Sequence, residues 1–249
     1  MRRDISDSEW KARLELTAAY HLAGMYGWTD LIYTHFTARV PGEPGCFLIN
    51  PFGLHFHEVT PDNLIKVSFD GTILSETKHG INPAGSVIHG ATHEARPDVG
   101  CVLHLHTING VAVSSVKEGL LPISQHALHL FGEIAYHDYE GIAMREDEKV
   151  TIVRDLGQKK IMLLRNHGSL AVGSTIPEAF MLMYMLEKAA EIQVRTLAQG
   201  LPICTIPTEV CILTHEQAIS KREHHLKLEW MAHLRLLDTP YVSQLLTAA

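Results

Sequence analysis

Between Leu31 and Leu74 the chain breaks into short apolar runs punctuated by turn residues: IYTHFTARV, CFLINPFGLHF and LIKVSFDGTIL. The last run carries Asp70-Gly71 between alternating apolar residues, the signal of a two-residue hairpin. A hairpin joins antiparallel neighbours, whereas parallel strands need a crossover connection. Further along, strand-like runs interleave with helical stretches, which implies a layered α/β domain. Together these features require a sheet that is mainly antiparallel or mixed.

The helical stretches are marked by their ends. Residues 6–26 read as a first helix, with Ser6 and Glu9 as a capping box and Gly24 and Gly27 at the exit. A second begins at Asn82-Pro83, Asn as N-cap and Pro in the first turn, and ends before Pro97. The strand GCVLHLH follows, then a short helix from Thr107 to about Lys117, the segment ISQHALHLFGEI, and the loop YHDYEG. A helix over about 145–156 precedes the strand KKIMLLR, and a long helix spans about 177–198. A connector containing prolines and a last helix over about 215–236 complete the pattern. One domain is expected over residues 1–200, with an extension over 201–249 whose helix packs on the domain or on a neighbouring subunit.

Composition narrows the function classes. With 249 residues, 46% of them hydrophobic, the chain is long enough for one large core, and no linker rich in Gly, Pro or Ser divides it. A net charge of −7 argues against a nucleic-acid partner, which a basic face would have to hold. The start, MRRDISDSEW, has no apolar stretch of the secretory kind, and nothing is long and apolar enough to span a bilayer. Cys46, Cys101, Cys204 and Cys211 form no C-x-x-C pair and read as reduced thiols of a cytoplasmic protein.

Chemistry points to histidine. A strand sends alternate side chains to one face, so His104 and His106 in CVLHLHT point the same way, with Cα atoms roughly 6–7 Å apart. His167 follows the apolar run KKIMLLR, where a second strand would end in a tight Asn-His-Gly turn. Three imidazoles on rigid strands, with one coordination position left open, describe a catalytic rather than a structural zinc-type site. The 17 histidines in the chain lower the weight of any one of them. The plainer reading is two core histidines and a turn residue. His89 and His93, four apart on the second helix, suggest either a separate two-His site or, in preference, His89 packed beneath the metal site and His93 on the surface.

The segments YGWTDLIYTHFTARV, FLINPFGLHFHEVT, HEARPDVGCVLHLHT, GLLPIS, GEIAYHDYEGI, LLRNHG and AAEIQVRTLA, in that order, resemble the class II aldolase/adducin family over roughly residues 8–200, the adducin head above all. The resemblance implies a three-layer α/β/α sandwich around a central, mostly antiparallel sheet, assembled as a homotetramer with sites between subunits. It also implies one divalent metal on His104, His106 and His167, zinc first, with manganese or iron as alternatives.

The departures from the family pattern are equally specific. The family's acid/base Glu falls on Gly85, and a glycine cannot move a proton. Its phosphate-binding serines fall on Pro83 and Ala84, and a Thr-Gly turn reads Asn50 to Gly53 with Phe52 at the threonine. Phosphate needs several convergent donors, so a phosphorylated ketose is a poor fit. A tyrosine that reaches the family's site from a neighbouring subunit falls near His126, which would serve as proton donor or as an interface residue. His35 stands where the aldolases have an Asn facing the substrate anion. Asn50, Gly53, Asn82 and Gly85 line the expected substrate site, Glu133 would serve as a supporting carboxylate or as an acidic rim residue, and Gly53 and Gly168 each permit a tight turn.

Two functions compete. One is a metal-dependent lyase, by decarboxylation or retro-aldol cleavage, on a small non-phosphorylated hydroxy- or keto-carboxylate. The other is a non-catalytic, adducin-like interaction module. The segment YVSQLLTAA carries no basic cluster, so no actin or spectrin partner is expected.

Overall fold

The strands stay short because Gly, Pro and Asp cut the apolar runs. The computed structural model describes residues 5–143 and 145–247; the first four residues of MRRDISDSEW and the last two of YVSQLLTAA lie outside them. In chain order the elements are α1 (Asp7–Met25), β1 (His35–Arg39), β2 (Cys46–Ile49), β3 (Ile65–Ser68), α2 (Pro83–Gly85), a π-helical segment (Ser86–Gly90), α3 (Ala91–Ala95) and β4 (Cys101–Leu105). Then come α4 (Ile108–Ser114), α5 (Gln125–Leu128), β5 (Ile134–His137), α6 (Glu146–Leu156), β6 (Ile161–Leu164), β7 (Gly168–Gly173), α7 (Ile176–Leu197), α8 (Thr208–Leu234) and α9 (Pro240–Thr247).

Among the described residues seven strands form one sheet in the order β3-β2-β1-β4-β7-β6-β5. Every pairing is antiparallel except β5 with β6. The mostly antiparallel sheet therefore matches the sequence reading. Its two faces alternate residue by residue. Cys101, Leu103 and Leu105 of β4, with Ala171 of β7, join α1 and α7 in one core. Val102, Leu170 and Val172 pack on the opposite face with Ile88, Ile152 and Leu156. Helices on both faces make three layers.

Three local expectations change. Asp70-Gly71 does not make a two-residue hairpin: Ser68 N–H donates to Thr72 O at 2.9 Å and Gly71 N–H to Ser68 O at 2.9 Å, enclosing a three-residue loop. Gly71, at φ +95°, closes that loop in the left-handed region, and a single bridge from Val67 to Ile73 follows. Ser6 accepts from Glu9 N–H at 3.1 Å, but the Glu9 carboxylate does not complete the box. It is buried against Arg13 at 2.9 Å and Lys66 at 2.8 Å, a pairing worth more to a buried carboxylate than a cap. The helix expected over about 215–236 starts earlier, as α8 at Thr208, α9 follows it, and the extension packs on the domain: Trp230, Leu234, Val242 and Leu245 enter the main core, and Trp10 Nε1 donates to Gln244 Oε1 at 3.2 Å.

Candidate metal centre

β4 supplies His104, its last residue but one, and His106 just beyond its end. β7 lies beside β4, and the turn that feeds β7 from β6 carries His167. That turn spans Leu164 to Gly168: His167 N–H donates to Leu164 O at 3.1 Å, and Asn166 takes φ +57°. Asn is the side chain that tolerates this backbone best after glycine. Gly168 has another reason to be glycine. A Cβ there would lie 2.3 Å from Leu105 O and 3.0 Å from His106 Cδ2, so β7 could not approach β4 beside the site.

The three rings converge. Their centroids are 4.7 Å (His104–His106), 4.9 Å (His104–His167) and 4.8 Å (His106–His167) apart. One ring nitrogen from each lies within 4.8 Å of the others, close enough for one metal ion. His104 is buried, while His106 and His167 are half-buried and leave one side open.

The donor set fits a cation. His104 Nδ1–H donates to Ser169 O at 3.1 Å, and His106 Nδ1–H to Asp30 Oδ2 at 2.9 Å. A neutral imidazole carries one proton, so those partners assign both Nε2 atoms as lone pairs. The two Nε2 atoms stand 2.8 Å apart. Facing lone pairs repel unless a cation lies between or beside them. Burial, then the neighbouring His167 and His106, hold His104 well below the ordinary histidine range. Burial first, with His106 and His137 adding to it, pushes His167 down to about 4. Protons are thus disfavoured where neutral ligand nitrogens are needed.

Behind His104 lies a second histidine cluster between β1 and the π segment with α3. His35 is paired with His104 across the sheet, their rings 5.2 Å apart. His35 Nδ1 lies 2.8 Å from His89 Nε2, His89 Nδ1 2.7 Å from Thr37 Oγ1, and Thr37 Oγ1 2.9 Å from His93 Nε2. His93 is therefore not a surface residue. It is fully buried, its ring 5.4 Å from Phe47 and 6.0 Å from Phe69, and like His89 four residues earlier it faces the Thr37 hydroxyl. His35 is likewise buried, pushed down to about 3 by burial and by the His106 and His167 rings.

Gly85 adjoins this cluster. A Cβ there would meet Ile49 Cδ1 at 2.8 Å and the His35 ring at 3.8 Å, so a longer side chain at 85 would lie against His35. Other expected lining residues have their side chains committed elsewhere. Asn82 caps α2 by accepting from Ala84 N–H at 3.1 Å and donates to Tyr33 O at 3.0 Å. Asn50 is buried with its Oδ1 2.8 Å from the Tyr20 hydroxyl. Gly53, at φ +98°, does make the turn expected of it.

Glu133 is not beside the ligands. It precedes β5, at the end away from His137, and its carboxylate faces His215 of α8 at 3.6 Å. The supporting carboxylate is Asp30, from the YGWTDLIY segment, whose Oδ2 accepts from His106. His126 sits half-buried on α5, which packs on α7 and α8, and within one chain it does not reach the three histidines. Sequence reasoning also missed Glu187. This buried residue of α7 accepts from Thr107 Oγ1 at 2.8 Å, and burial pushes its carboxyl up to about 7.

The family model of the class II aldolase and adducin N-terminal domain matches residues 14–194. The solved structure of an aldolase II superfamily protein from Pseudomonas syringae is 46% identical, covering 93% of this chain and 96% of that one, with a TM-score of 0.86. The L-fuculose 1-phosphate aldolase of Glaciozyma antarctica PI12 is 31% identical, over 84% of this chain and 82% of that one, with a TM-score of 0.77. Alpha-adducin of Rattus norvegicus is 51% identical over 191 residues, 76% of this chain but 26% of the adducin.

Proposed function

Given that the chain belongs to the class II aldolase and adducin family, we propose that it is a zinc-dependent lyase acting by decarboxylation or retro-aldol cleavage on a small non-phosphorylated hydroxy- or keto-carboxylate. The observation that carries the reading is the pair of Nε2 lone pairs on His104 and His106, 2.8 Å apart with both Nδ1 atoms already engaged. An ion held by His104, His106 and His167 would supply a Lewis acid for a carbonyl or carboxylate oxygen. Asp30 and Ser169 O hold the first two rings in the ligating tautomer. Gly85 offers no base, which favours bond cleavage that removes no carbon-bound proton. Pro83, Ala84 and Phe52 offer no side-chain donors, which favours a substrate without phosphate. Proton return falls to His126 brought from a second copy in a homotetramer.

Metal content tests the reading. Protein prepared without chelator is expected to hold about one divalent ion per chain, and His104→Ala with His106→Ala to empty it. Less than about a tenth of an equivalent in the unaltered protein would overturn the enzyme reading. It would favour the interaction-module alternative, for which the identity with alpha-adducin speaks. A screen of hydroxy- and keto-acids with CO₂ detection then identifies the substrate. On that substrate His126→Gln is expected to lower turnover roughly 10²-fold with the metal retained.

A further inference from the structure

α8 is anchored at its two ends and stands off the domain between them. Cys211 is buried near its start and Trp230 and Leu234 near its end, while none of residues 212–229 is buried. The positions that turn inward at helical spacing are Thr214, Ala218, Arg222, Leu226 and Glu229, all half-buried. A helix closing on a core would carry apolar side chains there, and this one offers a single large one, Leu226. Beneath that stretch lies a cavity of about 770 Å³, within the range that takes small organic ligands. Met181, Leu182 and Met185 of α7 form its opposite wall, and α5 adds His129.

Charge in this cavity is not balanced. Lys221 and Arg222 line it, and among the described residues neither forms an ion pair. Glu178 lines it too, but its carboxylate accepts from Ser174 N–H at 2.8 Å and Ser174 Oγ at 2.7 Å and is paired with Lys160. That leaves Glu229 as one carboxylate against two cations. The excess is felt at the other wall, where burial first, then His126, Arg222 and His215, hold His129 below the ordinary histidine range. We propose that the cavity between α5, α7 and α8 binds a small apolar carboxylic acid, its chain against Met181, Met185 and Leu226 and its carboxylate between Lys221 and Arg222. Unbranched thioether side chains adapt to an aliphatic or aromatic body. One negative charge matches the cation in excess, whereas a phosphate monoester brings about two and would set the second against Glu229.

Octanoate, octanol and octylamine share one chain and differ in the head group, so calorimetry with each tests the charge. Octanoate is expected to bind at about one per chain and roughly 10-fold more tightly than octanol, with octylamine weakest. Methyl NMR of methionine-labelled protein is expected to show the Met181 and Met185 signals moving with octanoate. Replacing both cations, Lys221→Gln with Arg222→Gln, is expected to abolish the preference and leave octanol binding in place; neither side chain is buried, so the fold does not depend on them. Ala218→Trp is expected to fill the cavity and weaken octanoate and octanol alike. Octanol binding as tightly as octanoate, or octanoate leaving both methionine signals unmoved, overturns the proposal. So does an unaltered protein that binds no octanoate while Ala218→Trp breaks its assembly, which would make the cavity a contact between copies. None of these readouts involves the three histidine ligands, so the proposal stands or falls apart from the metal centre.

Discussion

Asp30 Oδ2 accepts the Nδ1 proton of His106 at 2.9 Å and thereby turns the other nitrogen of that ring toward His104 and His167. The carboxylate selects the tautomer and fixes the ring's orientation, leaving the Nε2 lone pair free for a cation. Asp30→Ala is therefore expected to weaken zinc binding about 10–100-fold. Because the Asp30 side chain is 42% exposed, the fold should barely register its loss. Competition against a fluorescent chelator measures the first effect and thermal unfolding of the metal-free protein the second. Unchanged zinc affinity would show that Asp30 has no part in the centre.

Glu187 gives a pH-dependent signature. Its ordinary value of 4.5 is raised to about 7, first by burial. The folded chain thus binds the proton more tightly than the unfolded one, and that stabilisation is complete below 4.5 and lost as pH rises through 7. Glu187→Gln keeps an acceptor for Thr107 and removes the buried charge. Relative to the unaltered protein, the variant is expected to gain about 3 kcal/mol between pH 4 and pH 8. Urea unfolding at both ends of that range measures it, and a difference independent of pH would refute the assignment.

His93 works in the opposite direction. Burial carries it from 6.5 down to about 3, so the unfolded chain binds its proton first. The stability this group contributes is complete above 6.5 and drains away as pH falls toward 3, at about 1.4 kcal/mol per pH unit. His93→Gln, which can still reach Thr37, is expected to flatten the loss of stability between pH 6.5 and pH 4. It will also lower stability at neutral pH by removing the ring packed against Phe47 and Phe69. Urea unfolding across that range separates the two effects, since only the titration changes the slope. A slope unchanged by the substitution would mean that His93 is protonated as readily in the fold as outside it.

What could be read from the sequence follows range of interaction. The three ligands were legible because two alternate at period two across the end of one strand and the third follows another strand's end. The mostly antiparallel sheet was expected from the Asp70-Gly71 turn, but that turn holds one residue more than its dipeptide suggested and joins β3 only to a single bridge at Ile73, not to another strand of the sheet. His93 was not legible. Its partner Thr37 lies 56 residues away, and although His93 shares a helix face with His89, only tertiary packing shows that β1 covers both. Asp30 was missed for the same reason, being 76 residues from His106 and set by tertiary packing. Glu133 was misplaced because a strand end faces whichever helix covers it, here α8 with His215.

Two glycines separate a packing requirement from a chemical one. At Gly85 a methyl group would press on Ile49 Cδ1 at 2.8 Å, the mobile tip of a side chain that can rotate away. At Gly168 it would strike Leu105 O at 2.3 Å, a carbonyl held in the β4–β7 ladder, and crowd His106 Cδ2 at 3.0 Å. Gly85→Ala is therefore expected to cost less than about 1.5 kcal/mol and to leave zinc binding intact. Gly168→Ala must part the two strands or displace the His106 ring, costing about 3 kcal/mol or more and lowering zinc affinity with it. Denaturant unfolding of the metal-free proteins and zinc titration of each compare the pair directly. Equal effects at the two positions would mean that the β4–β7 contact yields as easily as the Ile49 side chain, and that the His106 ring does not depend on it.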